Sequence, residues 1–161
     1  MTIMKLSWKS LKISIAGARL SHLVQKDKIW DHGTMVEFVK IVFYQLQKMK
    51  NGGDAEALKK YLTEQCREKL KDQMNRLQAA GKMRSTKNAR IKEIAVINVM
   101  PATMKHPDIF KALVKGYEVY HIENWNSPAP SVKHDDMIHE FSEEWSFERQ
   151  SDWWLLDEMK D

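Results

Sequence analysis

Residues 141–156 read FSEEWSFERQSDWWLL, and the period of that stretch decides how the rest of the chain must fold. Phe141, Glu143, Trp145 and Phe147 fall on one face of an extended chain, and Ser142, Glu144, Ser146 and Glu148 on the other. Successive side chains of a strand point to opposite faces, so this alternation marks a strand with one apolar side. Gln150-Ser151-Asp152 supplies turn residues, and WWLLDEM resumes an apolar run, so the two segments form a hairpin. On the returning strand Trp153 and Leu155 point one way and Trp154 and Leu156 the other; periodicity alone leaves the register open. Most of these rings are expected to be core. A wall of large rings with few polar groups also suits an apolar ligand such as an acyl chain.

Outward from the hairpin, two more strands precede it. Ile91, Glu93, Ala95, Ile97 and Val99 alternate with Lys92, Ile94, Val96 and Asn98, and FKALVKGYEVYHIENW is a second strand of ten or more residues. Pro101, Pro107, Pro128 and Pro130 fall in the connections, where a missing backbone N–H removes no ladder bond. Before the strands the period is helical. Met35, Phe38, Val39, Val42, Leu46 and Met49 define a helix capped by Asp31 or Thr34 and ended by Asn51-Gly52-Gly53. Asp54 is expected to cap a short second helix, and Thr63 a third with the stripe Cys66, Leu70, Met74 and Leu77, stopped by Gly81. Helices first and antiparallel strands after give an α+β fold with helices packed on one face of a sheet.

The first 30 residues stand apart and are read as a separate segment, 1–30, ahead of a domain, 31–161. Residues 1–30 hold six Lys/Arg and one Asp, whereas 134–161 hold two Lys/Arg and ten Asp/Glu. On a helix, Met4, Trp8, Leu11 and Ile15 form one stripe, with Lys5, Lys9 and Lys12 on another face. Trp and Lys on a short amphipathic helix is the composition of an interfacial membrane segment. The alternatives are a helix docked on the domain or on a second copy, a strand through Leu11, Ile13 and Ile15, or an organelle transit peptide. The stretch KMRSTKNARIK (82–92) holds five basic residues and no acid. It reads as a solvated loop, or as a phosphate-binding patch built on Arg84, Lys87 and Arg90; without flanking aromatics for base stacking, nucleic acid is disfavoured.

Several function classes are excluded or disfavoured. A single cysteine, Cys66, among 161 residues rules out an internal disulfide and a Cys-based metal centre. No window carries the ~18 apolar residues of a spanning helix, and Lys residues interrupt any signal-type apolar core at the N-terminus. His134, Asp135, Asp136, His139 and Glu140 cluster, but the histidines stand five apart, off the helical two-histidine spacing, so no metal is expected. Nucleophile elbows and phosphate-cradling glycine loops are absent. The acid–base candidates Tyr117, Tyr120, His121 and Glu143 lack partners at informative spacing. The expectation is a non-enzymatic domain without a cofactor.

The chain from about Trp30 onward resembles the domain of subunit forty-four of the mitochondrial inner-membrane translocase and its bacterial relatives. The resemblance is carried by Gln47 to Asp54, by Tyr61-Leu62-Thr63, by Gly81 and Asn88, and most specifically by Glu143, Trp145, Phe147 and Arg149 followed by Trp154 and Leu156. The pattern departs at Lys48-Met49, where many relatives carry Ala-Trp, and at Gly116-Tyr117, where Asp-Tyr is common. The resemblance implies a cone of the nuclear-transport-factor-2-like kind, in which helices pack on a strongly bent four-stranded antiparallel sheet. It implies an apolar pocket between the layers, for which Phe38, Val42, Leu46 and Leu62, with Met74, Trp145, Phe147 and Trp154, are the expected walls. Mitochondrial members are peripheral membrane proteins that bind anionic lipid, cardiolipin in particular, and tether the import motor; a related ribosomal protein holds ribosomes at the membrane. The long chaperone-binding region has no counterpart in these residues, so the motor role is not expected here.

The expected function is therefore a peripheral membrane-binding adaptor, intracellular, on the inner face of a bacterial cytoplasmic or mitochondrial inner membrane. Lys5, Trp8, Lys9, Lys12 and Arg19, with Arg84, Lys87 and Arg90, are the expected contacts to anionic lipid or a protein partner. A second copy of the chain is a further candidate partner. The competing expectation is a carrier or enzyme that uses the pocket for a small apolar, acyl-chain-like ligand, and the weakest is ribosome or RNA attachment.

Overall fold

A computed structural model describes the backbone of residues 2–51, 55–124 and 137–161, and the side chains of 8–51, 56–81, 88–119 and 138–161. Helix α1 (Thr2–Lys26) is followed by a 3-10 turn (Lys28–Trp30), α2 (His32–Lys50), a second 3-10 turn (Ala55–Leu58) and α3 (Glu64–Ala79). Four strands complete the chain: β1 (Lys82–Met100), β2 (Ile109–Asn124), β3 (Met137–Gln150) and β4 (Trp153–Lys160). They form one antiparallel sheet in the order β1-β2-β3-β4. This is the α+β order read from the sequence.

The helix boundaries follow from local chemistry. The Asp31 carboxylate accepts hydrogen bonds from the Thr34 backbone N–H (2.9 Å) and hydroxyl (2.7 Å), so Asp31 rather than Thr34 caps α2. Thr63 Oγ1 accepts from the Cys66 N–H at 3.2 Å and starts α3, while Gly81 follows its end with φ 69°, a conformation glycine enters freely. The segment before Leu62 is a 3-10 turn rather than a helix, and Asp54, Gly52 and Gly53 lie outside the described residues.

The sheet bends because β1 carries register shifts between Lys87 and Arg90, Ile91 and Glu93, and Val96 and Asn98. Each extra residue kinks the strand and increases its twist. Asn88 sits in the first of these with φ 48°. Gly116 faces that region: a Cβ there would lie 2.1 Å from the Arg90 carbonyl oxygen and 2.8 Å from Phe141 Cζ. Any side chain at 116 would push β1 and β2 apart.

The basic stretch 82–92, read as a solvated loop or a phosphate-binding patch, lies in β1, paired with β2 from Lys82↔Asn124 through Arg90↔Tyr117. The sequence has no apolar period of two there, so the pairing with β2 is not visible in it. The β3–β4 turn contains Ser151 (φ 58°) and Asp152, with Gln150 paired to Trp153. That register puts Trp154 (2% exposed) and Leu156 inside and leaves Trp153 44% exposed.

One core joins every element. Phe110 stacks on Phe147 (4.7 Å) and meets Trp154 edge-on (4.8 Å), and Trp154 meets Trp30 (5.2 Å). Tyr61 and Leu62 zip onto the free edge of β4: the Leu156 N–H donates to the Tyr61 carbonyl and the Thr63 N–H to the Leu156 carbonyl. Ala16, Leu20 and Trp30 belong to the same core, so the segment before residue 31 is built into the domain along its second half.

Candidate functional site

Helix α1 lies against β1. Its docking seam is Lys9, Ile13, Ala16, Leu20 and Leu23, one residue per turn on one face. Ala16 and Leu20 are buried, and Leu23 and Val24 pack beside them. Lys9 Nζ bridges to the Glu93 carboxylate at 2.8 Å, and Arg19 donates to the Val99 carbonyl at 3.4 Å. Arg149 ties down the C-terminal end of α1: its guanidinium reaches Asp27 (2.5 Å) and Asp108 (3.1 Å), and its Nε donates to the Ser151 carbonyl. The hydrogen bond from Arg149, then that from the Ile29 N–H, holds the Asp27 carboxyl below its ordinary value.

The opposite face of α1 is open. Trp8, Leu11 and Ile15 are 62%, 48% and 46% exposed, at i, i+3 and i+7. Lys12 Nζ stands 5.8 Å over the Trp8 ring. Of the expected contacts, Lys9 is committed to Glu93, Arg19 leans on β1 while staying largely exposed, and Lys12 and Arg90 are exposed. Lys5, Arg84 and Lys87 have side chains outside the described set, as does Met4.

The eight expected pocket walls divide. Phe38, Val42, Leu46, Leu62, Trp145, Phe147 and Trp154 are buried, and Met74 packs at the edge of the same cluster. Phe38 meets Phe147 at 6.1 Å and Trp153 at 4.9 Å, so the rings occupy the space between the layers themselves. Of the eight, Leu46 and Trp145 border a cleft of about 280 Å³ at the end of the sheet remote from the β3–β4 turn. Its other walls are Phe43 and Phe141, and its polar lining includes Gln47, Lys50, Glu118, Glu143 and Asp161. Glu118 is 3% exposed and lies 3.8 Å from Lys50 and 3.6 Å from His139. Glu143 accepts from Trp145 Nε1 at 3.3 Å; burial raises its carboxyl above the ordinary value against that hydrogen bond.

Sequence reading missed Glu118, though its parity with Phe110, Ala112, Val114 and Gly116 on β2 placed it inward. The Arg149 cluster was also missed, because its acids lie 122 and 41 positions away. Burial, and then the Asp157 charge, push the Cys66 thiol up to about 12, which makes it an inert core residue. Among the described residues no group of three His, Cys, Asp or Glu is arranged to hold a metal, and Tyr120, His121 and 134–136 have side chains outside the described set.

Helices on one face of a bent four-stranded meander define an α+β protein of the nuclear-transport-factor-2-like class. The family model of the Tim44-like domain matches residues 16–161, and the chain belongs to that family. The match begins inside α1, at the first buried residue of its docking seam. Among solved structures, the intermembrane-space region of the chloroplast protein ARC6 is similar in fold, with a TM-score of 0.54 at 12% identity over 81% of this chain and 95% of that one. No curated protein matches the chain in sequence.

Proposed function

We propose that this chain is a non-enzymatic adaptor domain that rests peripherally on an anionic membrane surface through α1. The observation that carries the reading is the two-sided helix: one face docks on β1, and the other presents Trp8, Leu11 and Ile15 to solvent. An apolar stripe with an indole, flanked by basic residues, buries its rings at the headgroup boundary while ammonium groups meet lipid phosphate. Each Lys or Arg near a charged leaflet contributes about 1 kcal/mol. Among the described residues no helix is long and apolar enough to cross a membrane, and attachment in this reading is along the surface. Membership of the Tim44-like family supports a role beside a membrane or a protein partner.

Flotation of the full chain with vesicles tests this. Anionic vesicles are expected to carry the protein upward and neutral ones to carry much less. Equal flotation on both sinks the electrostatic part, and a Trp8→Ala/Leu11→Ala/Ile15→Ala variant that floats like the unsubstituted chain sinks the role of α1. Substitution is the right tool here, since removing residues 1–30 would strip Ala16, Leu20 and Trp30 from the core.

A further inference from the structure

We propose that the cleft between α2 and the inner face of β2 and β3 binds an alkylammonium group on a short apolar stem. The cleft is lined by rings and by carboxylates. Phe43 stacks on Phe141 at 5.8 Å and inclines to Trp145 at 6.4 Å, giving a wall of aromatic faces. Such faces attract cations and pack well against methylene groups. Among the described residues, the carboxylates of Glu118, Glu143 and Asp161 and the ammonium of Lys50 line the same space, Glu143 standing between Phe141 and Trp145 on one face of β3.

Two polar groups point to a donor ligand. Gln47 Oε1 is a buried acceptor that receives no hydrogen bond, and buried acceptors are nearly always paired. Glu143 is turned inward among rings, its one indole hydrogen bond coming from the neighbouring Trp145. Among the described residues no cation stands within ion-pair distance of Glu143. An ammonium has three N–H donors and no acceptor, so it suits acceptors such as Gln47 and Glu143 where an anion does not. The cleft, about 280 Å³, has room for a short amine. The carboxylates are not grouped as metal ligands, which separates this site from a cation-coordination site. The chemistry is shared by free amines and by the lysine side chain of a protein partner.

The test follows the Trp145 indole N–H signal of the full-length ¹⁵N-labelled chain during titration. The probes are n-pentylammonium, the neutral isostere 1-pentanol, and Nα-acetyl-lysine methylamide. Saturable shifts with pentylammonium are expected, with at least tenfold weaker binding of pentanol. Saturation by the blocked lysine would make a lysine side chain an admissible occupant, and its exclusion would restrict the site to free amines. Glu143→Gln should weaken pentylammonium binding at least tenfold, and Gln47→Leu several-fold. The second variant carries the test if the first does not fold. No saturable shift with either amine, equal binding of pentanol, or unchanged affinity in the folded variants overturns the proposal.

Discussion

Helix α2, 19 residues long, buries Met35, Phe38, Val39, Val42, Phe43, Leu46 and Met49, whereas α1, 25 residues long, buries Ala16 and Leu20 among its described side chains. Both carry an apolar stripe in sequence. The difference lies in what each faces. Helix α2 lies across the concave side of the sheet, so its whole apolar face is enclosed. Helix α1 meets β1 and uses a narrow seam, where the small Ala16 permits close approach. Trp8, Leu11 and Ile15 stand on the other side. An apolar stripe therefore identifies a surface that needs cover, and the fold decides whether the protein itself supplies it.

The contrast is open to test by four variants and by amide exchange. Phe43→Ala, which removes a 2%-exposed ring from the α2 face, should cost about 4 kcal/mol in urea unfolding. Leu20→Ala should cost about 2 kcal/mol, because its site lies where α1 and β1 can close up. Amide exchange should then rise in α1 ahead of α2; equal losses at both sites, with exchange rising together, would erase the distinction.

A smaller effect concerns the tether at the end of α1. The folded-state pKa of Asp27 is depressed, so its pairing with Arg149 stabilises the fold above the unfolded value of 3.8 and loses that contribution as pH falls through the folded value. Asp27→Asn should accordingly be less stable than the unsubstituted chain at neutral pH, with the gap closing below 3.8. A gap that persists in acid would assign the effect to packing. Last, Trp8→Ala should change stability by less than about 0.5 kcal/mol while lowering flotation with anionic vesicles; a larger loss of stability would mean that the open face of α1 is packed after all.

Much of this fold was legible because caps and alternation are local signals. Thr63 caps α3, Gly81 ends it, and 141–156 folds as the hairpin its alternation describes. The first half of β1 was not legible, since Lys82 to Arg90 carry no apolar alternation, yet their backbone pairs with β2. The cleft was half legible: Trp145 and Glu143 were visible on one strand face, but their neighbours Gln47, Lys50 and Glu118 come from elements that only packing brings together.

The sequence by itself determined the order of elements, the two apolar helix stripes and the inward face of β3, because 3.6- and two-residue periods are properties of a single segment. The tertiary structure decided that Trp154 rather than Trp153 turns inward, that the rings fill the space between the layers, and that α1 keeps Trp8, Leu11 and Ile15 outside. Those outcomes depend on strand register, on sheet curvature and on which surface reaches a helix first, and each is set by residues far apart in the chain.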